Sequence, residues 1–147
     1  MKRLTILTVM LLLLSTMVYG QWETHEKKNL IEGTTSTILT NEAMTHEGAL
    51  RYPTLIIRGM DDVYIVWGGY NLDRDLKRML LKIDDNEPVK VPIYLSTDNT
   101  STFLEEEFIE DIMNARSIVA LVYKATGGQM VAMWDVSGLS EEIAQVQ

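Results

Sequence analysis

The chain has 147 residues, of which 46% are hydrophobic and 23% charged, and this composition excludes collagen, a coiled coil, a fully disordered chain and a multispan membrane protein. There is no cysteine, which excludes disulfides, thiol catalysis and cysteine-based metal sites. The formal net charge of −8 disfavours nucleic acid and anionic lipid as partners, because both would repel the domain.

Residues 1–20 have the pattern of a secretory signal peptide, in which two basic residues precede an apolar run over 4–14 and small residues precede Gln21. The apolar run is shorter than the ~20 residues that a spanning helix needs, so we expect cleavage, with retention as an N-terminal anchor as the alternative. Residues 21–147 are then one β-rich domain, periplasmic or secreted and without stable membrane insertion. An exported domain without disulfides is more typical of a bacterium or a phage than of an animal.

Most of the remaining chain predicts short strands, because β-branched and aromatic residues recur between turn-forming clusters. The weakly alternating segment 22–29 predicts an edge strand. Gly127 and Gly128 separate two apolar runs and give the strongest hairpin signal in the chain. The strands predicted between the edge strand and the end of this hairpin lie at 34–40, 54–58, 63–67, 77–83, 89–95, 117–125 and 130–136.

The strand at 89–95 has a clean alternation. The residues predicted to point into the core are Val89, Val91, Ile93 and Leu95. Those predicted to point outwards are Lys90, Pro92 and Tyr94. Lysine and proline on the outer side are typical of an edge strand, so we expect this strand to lie at a second edge.

Two helices are predicted. Thr102 followed by Glu105 has the pattern of a capping box, and the apolar spacing over 104–113 predicts a helix with one buried stripe. Residues 139–146 predict a short C-terminal helix with Ser140 as its N-cap. The predicted fold is therefore mainly β: a single antiparallel sandwich or partly open barrel of about eight or nine short strands, with a mid-chain helix and a short C-terminal helix.

The two histidines, His25 and His46, lie near acidic residues (Glu23, Glu26 and Glu47), a combination from which a metal site can be built. Neither histidine has the HxH or HExxH spacing of a known metal motif. We therefore expect surface histidines and no bound metal or cofactor.

Acidic residues cluster at Asp61 and Asp62, at Asp84, Asp85 and Glu87, and at Asp98, and each cluster coincides with a predicted turn. Aspartate stabilises the local backbone at such positions. The alternatives are adventitious calcium and a pair of carboxylates that face each other across a cleft, as a glycosidase requires. No serine-hydrolase or phosphate-binding motif is present, so we expect a protein that is not an enzyme and has no catalytic residues.

Five residues are candidates for an interaction surface: Trp67, Tyr64, Tyr70, Arg74 and Arg78. The aromatic residues have core packing as their alternative, and the basic residues belong to a segment of mixed charge that also fits a solvated connector. Binding of a ligand or glycan by the rings would require them to be exposed together.

Several short motifs occur in a familiar order. The segment RYPTLIIR at 51–58 is similar to an "RCPxLxIRC" pattern, and AMWDVSGL at 132–139 is similar to an "aFdlsGl" ending. Between them, residues 82–84 are similar to "RiD", residues 95–98 to "wxlSxD", and residues 103–115 to an "FxxxxxFixxLxxA" helix. In this order the motifs resemble the VasI/TagO group, which are small exported accessory proteins of the type VI secretion system with relatives on phages.

The resemblance covers residues 22–146 and implies a β-rich exported protein whose partner is an envelope or secretion-system protein. Its pattern has cysteines where this chain has Tyr52 and Gly59, so the disulfide that it implies is absent here. The resemblance supplies no catalytic residue. We expect a non-enzymatic envelope protein that acts by protein–protein contact. The alternatives are a phage-borne periplasmic protein that modulates the host envelope, and a small carbohydrate- or peptidoglycan-directed binder or hydrolase.

Cleavage of the signal peptide predicts an exported chain that begins at Gln21. Mass spectrometry of the protein recovered from the periplasm or the medium should give the mass of residues 21–147. Recovery of the full-length chain in the membrane fraction would instead show that the segment is retained as an anchor.

Overall fold

The computed structural model describes residues 21–59 and 61–146, so the predicted signal peptide at 1–20 lies outside the described residues. None of the helices in these two ranges is long and apolar enough to cross a membrane. The strands are β1 (Trp22–Lys28), β2 (Thr35–Glu42), β3 (Thr45–Glu47), β4 (Thr54–Arg58), β5 (Asp62–Val66), β6 (Arg78–Ile83), β7 (Val89–Leu95), β8 (Ser101–Leu104), β9 (Ser117–Tyr123) and β10 (Gln129–Asp135), and the helices are α1 (Glu107–Met113) and α2 (Leu139–Val146).

All ten strands belong to one antiparallel sheet with the order β1-β2-β4-β5-β8-β7-β6-β9-β10-β3. The sheet does not close into a barrel, and β1 and β3 form its two edges. The mainly β prediction is confirmed, including the position of β1 at an edge and the β9–β10 hairpin. Two strands, β3 and β8, were not predicted.

The corner of the sheet is β7. Residues 89–92 pair with β6, whereas residues 93–95 pair with β8, so the strand changes its partner along its length. Pro92 lies at this change, where a residue without a backbone N–H is tolerated. The prediction that β7 is an edge strand was wrong. Lys90 and Pro92 lie in the first half of the strand, which pairs with β6 on one side only. Val89 was also expected inside and is 51% exposed, whereas Tyr94 points outwards as predicted.

The bend at β7 brings the two halves of the sheet together around one core. Trp67, which follows β5, and Trp134 of β10 meet edge to face with ring centroids 6.1 Å apart. Thr102 of β8 is fully buried beside them, and its Oγ1 accepts a 3.0 Å hydrogen bond from the Trp67 indole N–H. The same hydroxyl donates to Sδ of Met79 on β6 at 3.9 Å. One threonine therefore contacts both halves of the sheet.

This position of Thr102 overturns the predicted capping box. Thr102 lies within β8, and α1 begins only at Glu107, after an N-cap residue, Glu106, that makes no side-chain cap. Pairing of β8 with β5 and β7 buries the threonine hydroxyl and outweighs the local capping pattern. The apolar stripe is correct from Phe108 onwards, because Ile109 and Ile112 are buried and Phe108 and Met113 pack against the core.

The C-terminal helix α2 begins at Leu139, as the sequence predicts, but Ser140 is not its N-cap. The Ser140 hydroxyl donates a 2.8 Å hydrogen bond to the carbonyl oxygen of Met113, the last residue of α1. It therefore satisfies one of the carbonyl groups that the end of a helix leaves without an intrahelical partner. Leu139 and Ile143 are buried, so α2 packs on the same core as α1.

The bend predicted at Gly68 and Gly69 has a steric cause. A Cβ at Gly68 would lie 1.9 Å from the carbonyl oxygen of Arg51, a distance that no side chain tolerates. The Gly68 carbonyl oxygen accepts the backbone N–H groups of Leu50 and Arg51. Because Gly68 has no Cβ, the chain that leaves β5 can pass in direct contact with the backbone of residues 50–51.

Thr102→Val keeps the shape of the side chain but removes the acceptor, which leaves the buried Trp67 N–H without a partner. We expect the free energy of unfolding to fall by about 1–3 kcal/mol. Urea denaturation measures the change. The matched control is Thr35→Val on the exposed part of β2, where the change should stay within about 0.5 kcal/mol. Equal effects of the two substitutions would contradict the assigned role of Thr102.

Candidate functional site

Trp67 does not lie on the surface. It is 1% exposed, and its indole packs between Trp134 and the hydroxyl of Thr102. Core packing, the alternative considered for the aromatic candidates, is therefore the role that the structure gives to this residue. The proposed group of five surface residues loses its largest ring.

The other four candidates lie in different places. Tyr64 is on the outer face of β5. Tyr70 and Arg74 lie in the connection between β5 and β6, where the Lys124 ammonium is 4.5 Å from the centroid of the Tyr70 ring. Arg78 is exposed at the start of β6, in the other half of the sheet. The structure does not bring the five residues together.

The structure instead places Tyr64 in a row of apolar side chains that crosses four strands. Ile56 of β4 lies opposite Tyr64 of β5, Tyr64 opposite Phe103 of β8, and Phe103 opposite Tyr94 of β7. We call these four residues the aromatic row. The rings of Tyr64 and Phe103 stack with centroids 4.9 Å apart and planes 26° apart. Tyr94 is 64% exposed, and the other three are half-buried.

Charged groups lie beside the aromatic row. The Arg58 guanidinium is 5.9 Å from the centroid of the Tyr64 ring and forms an ion pair with Asp62. The hydrogen bond to Asp62 raises the pKa of Arg58, while partial burial acts in the opposite direction. The Tyr94 hydroxyl donates a 3.4 Å hydrogen bond to Glu105. The row is therefore an apolar strip with a cation beside one ring and a carboxylate beside another.

Sequence reasoning missed the row because it placed Phe103 in a helix. The sequence offered no clear signal, because Ser101–Leu104 does not alternate between polar and apolar residues, and the half-buried Phe103 is distinguished from its buried neighbours only in the structure. Four residues are too few for a period of two to outweigh a capping-box pattern. The outward direction of Tyr94 was predicted, but its neighbour across the strands was not.

A second apolar surface, which we call the aliphatic face, lies on the outside of the other half of the sheet. It bears a shallow pocket of about 380 Å³ beside the short edge strand β3. Its outward side chains come from β6, β9 and β10, and they are half-buried or slightly more exposed. They are Leu80, Val119, Leu121, Val131 and Met133.

The histidines lie at opposite edges of the sheet. His25 on β1 is exposed, 3.5 Å from a Glu23 carboxylate oxygen and 3.3 Å from the Thr40 hydroxyl. His46 on β3 is half-buried and meets the Tyr52 ring edge to face at 4.5 Å. Over residues 21–59 and 61–146, no three histidine or acidic side chains converge in a way that would hold a metal ion. The two histidines do not form one site.

Two aspartates, Asp84 from a predicted turn and Asp135 from the predicted strand at 130–136, bind backbone N–H groups. Asp84 adopts a positive φ of 51°, and its carboxylate accepts the backbone N–H groups of Arg116 and Ser117 at 2.8 and 2.9 Å. It thereby ties the end of β6 to the start of β9. Asp135 accepts the backbone N–H of Ser137 at 3.0 Å. Only the Asp135 contact is local, whereas Asp84 binds backbone 32 residues further along the chain and joins two strands, which differs from the local role expected of an aspartate in a turn.

Asp98 stabilises the turn between β7 and β8. Its carboxylate accepts hydrogen bonds from the hydroxyls of Ser96 at 2.6 Å and Thr100 at 2.8 Å, and from the Thr100 backbone N–H. These bonds, first among them the one from Ser96, lower the pKa of Asp98 from its usual 3.8. A lowered pKa stabilises the folded state while the carboxylate is ionised, and this contribution is lost as the pH falls through that pKa. A general acid near neutral pH requires the opposite shift.

Comparison with protein-family models, with curated proteins and with solved structures gives no match for this chain. The resemblance to the VasI/TagO group therefore stays a prediction from short motifs. A functional proposal has to be argued from the surfaces described above.

Proposed function

We propose that this is an exported, non-enzymatic envelope protein that acts by protein–protein contact, with the aromatic row as its binding surface. The observation that carries the proposal is the apolar strip from Ile56 to Tyr94, which lies on the outer face of the sheet with Tyr94 exposed and the other three residues half-buried. Contiguous apolar surface of this kind marks interaction sites on soluble domains.

The composition of the strip supports a protein as the partner. Tyrosine, phenylalanine and arginine are enriched in protein interfaces and among the residues that dominate their affinity. Tyr64 and Phe103 are already stacked, and Arg58 is held by Asp62. Because these side chains are fixed by the central strands of a sheet, binding would cost little conformational entropy.

The proposal has two concrete forms, which share the periplasmic or secreted location. In the first, the protein is an accessory of a type VI secretion system and binds a component of that system. In the second, it is phage-borne and modulates the host envelope. The order of motifs along the chain supports the first form, and the absence of cysteine supports neither. The neighbouring genes, whether secretion or phage structural genes, separate the two.

A carbohydrate- or peptidoglycan-directed binder is the second candidate, and the exposure of Tyr94 is the observation that favours it. An aromatic ring that is 64% exposed can stack on a sugar ring as well as on a protein side chain. The protein interpretation is preferred because the row continues across half-buried positions that a single sugar would not reach. A hydrolase form would need two facing carboxylates, whereas Asp84 and Asp135 bind backbone N–H groups.

Photocrosslinking in the producing cell tests the proposal. A photoreactive amino acid at position 94 should crosslink to one envelope protein, and the yield should fall at least about tenfold in a Phe103→Ser background, because interface aromatics carry much of the affinity. The matched control is the same photoreactive group at position 123, because Tyr123 is similarly exposed but lies on the other half of the sheet.

Three outcomes would contradict the proposal. Equal crosslinking from positions 94 and 123 would indicate nonspecific contact. Crosslinking from position 123 alone would move the interface to the aliphatic face. Crosslinks from position 94 that disappear when peptidoglycan fragments compete would identify the glycan binder instead. The folded state of the Phe103→Ser variant is checked by its urea midpoint.

A further inference from the structure

β1 leaves a long free edge on the sheet. Within residues 21–59 and 61–146 it is the outermost strand and pairs only with β2, and it exposes six of its seven residues. The opposite edge strand, β3, has only three residues. A free edge of seven residues offers a row of backbone N–H and C=O groups to another strand. The side chains of β1 indicate which strand fits.

The charges on the outer face of β1 have no charged partner across the hairpin. Glu23 lies opposite Thr40, and Lys27 lies opposite Ser36. Glu23 approaches only His25, its neighbour on the same face of the strand, and Lys27 makes no ion pair within the described ranges. Opposite charges placed across two strands stabilise their pairing. The outer face of the strand therefore carries one unmatched charge of each sign, at positions equally distant from His25.

We propose that β1 pairs antiparallel with β1 of a second copy of this chain, about a two-fold axis at His25. In this register Glu23 of each copy lies opposite Lys27 of the other, which gives two equivalent opposite-charge pairs. Lys28 lies opposite Trp22 of the second copy, an ammonium group beside an indole ring. The pairing joins two ten-stranded sheets edge to edge and keeps both aromatic rows on the same face.

Neighbouring registers fit less well. A two-fold axis perpendicular to the sheet keeps like faces together only when it passes through a residue, so the nearest alternatives are centred on Thr24 and Glu26. An axis at Glu26 places the two Glu26 side chains directly opposite each other. An axis at Thr24 leaves Lys27 and Lys28 beyond the end of the opposing β1. Of these three registers, only the one at His25 uses the whole strand and pairs Glu23 with Lys27 on the outer face.

The tip of the β1–β2 hairpin extends past the proposed strand pairing. Leu30 and Ile31 are 88% and 97% exposed, although the turn that holds them is ordered by Asn29, whose side chain accepts the backbone N–H groups of Ile31 and Glu32. In the proposed dimer the tip of each copy is directed towards the Trp22 end of the other. The register places Leu30 and Ile31 beyond Trp22 of the second copy, so these two side chains add nothing to the strand pairing itself. One strand pair is smaller than the ~1,200–2,000 Å² of a standard interface, so we expect a dimer that forms in the micromolar range.

A single cysteine provides the first test, because the chain has none of its own. His25→Cys places two thiols opposite each other at the axis, within disulfide reach. Lys28→Cys, on the same exposed strand, lies about 20 Å from its equivalent in the second copy. Under mild oxidation His25→Cys should form the disulfide dimer at least about tenfold faster than the Lys28→Cys control. Equal rates would overturn the proposal.

A charge exchange provides the second test. Glu23→Lys should raise the dimer dissociation constant, measured by sedimentation velocity, by about tenfold, because two attractive pairs become repulsive. Adding Lys27→Glu restores opposite charges and should restore the dissociation constant to within about threefold of the original protein. A single species that stays monomeric at all concentrations, or a double variant as weak as Glu23→Lys, would overturn the proposal. This dimer does not depend on the proposed function, and it is measured without any envelope partner.

Discussion

The buried hydroxyl of Thr102 is the point on which both halves of the structure depend. It accepts the indole N–H of Trp67 and contacts Met79, and Trp67 in turn packs on Trp134, so that β5, β6, β8 and β10 meet at one place. Leaving the Trp67 indole N–H buried without an acceptor would cost about 1–3 kcal/mol, against the roughly 0.5–1.5 kcal/mol that a typical hydrogen bond contributes. The hydroxyl therefore fixes which side of β8 faces the core.

The same constraint determines the outer surface. Successive side chains of a strand point to opposite faces, so fixing Thr102 inside turns Phe103 outwards between Tyr64 and Tyr94. The aromatic row is thus a consequence of how the core is built and needs no separate device to hold it. Its rigidity follows from the central position of β5 and β8 in the sheet. Surfaces of this kind bind with little loss of side-chain freedom.

Much of the fold was predictable from the sequence, because strands such as β4, β5, β9 and β10 are marked by strong apolar runs and by turn residues on either side. The errors arose where a local pattern competed with pairing that is distant in sequence. Thr102 and Glu105 have the spacing of a capping box, but β8 gains partners on both sides, and the strand prevails. Lys90 and Pro92 are typical of an edge, and the sequence alone does not reveal that β7 divides its two ends between different neighbours.

The candidate site was less predictable than the fold. Trp67 and Tyr64 are aromatic residues of the same apolar run, yet Trp67 lies in the core and Tyr64 on the outer face. The difference arises because residues an odd number apart along a strand point to opposite faces. Tyr70, Arg74 and Arg78 were grouped with them because they are near in sequence, whereas the surface that forms is assembled across strands. The charges on β1 differ from the aromatic row in this respect. Their positions follow from the sequence alone once the strand is known to lie at an edge.

Solvent accessibility along β8 tests directly whether Thr102 faces the core and Phe103 faces outwards. Single cysteines at positions 102, 103 and 104 of this cysteine-free chain can be labelled with a maleimide in the folded state, at concentrations where every variant is shown to be folded. The Phe103→Cys variant should react in the folded state, whereas Thr102→Cys and Leu104→Cys should react only on unfolding. Reaction at position 102 in the folded protein, or equal protection of position 103, would contradict this orientation of the strand.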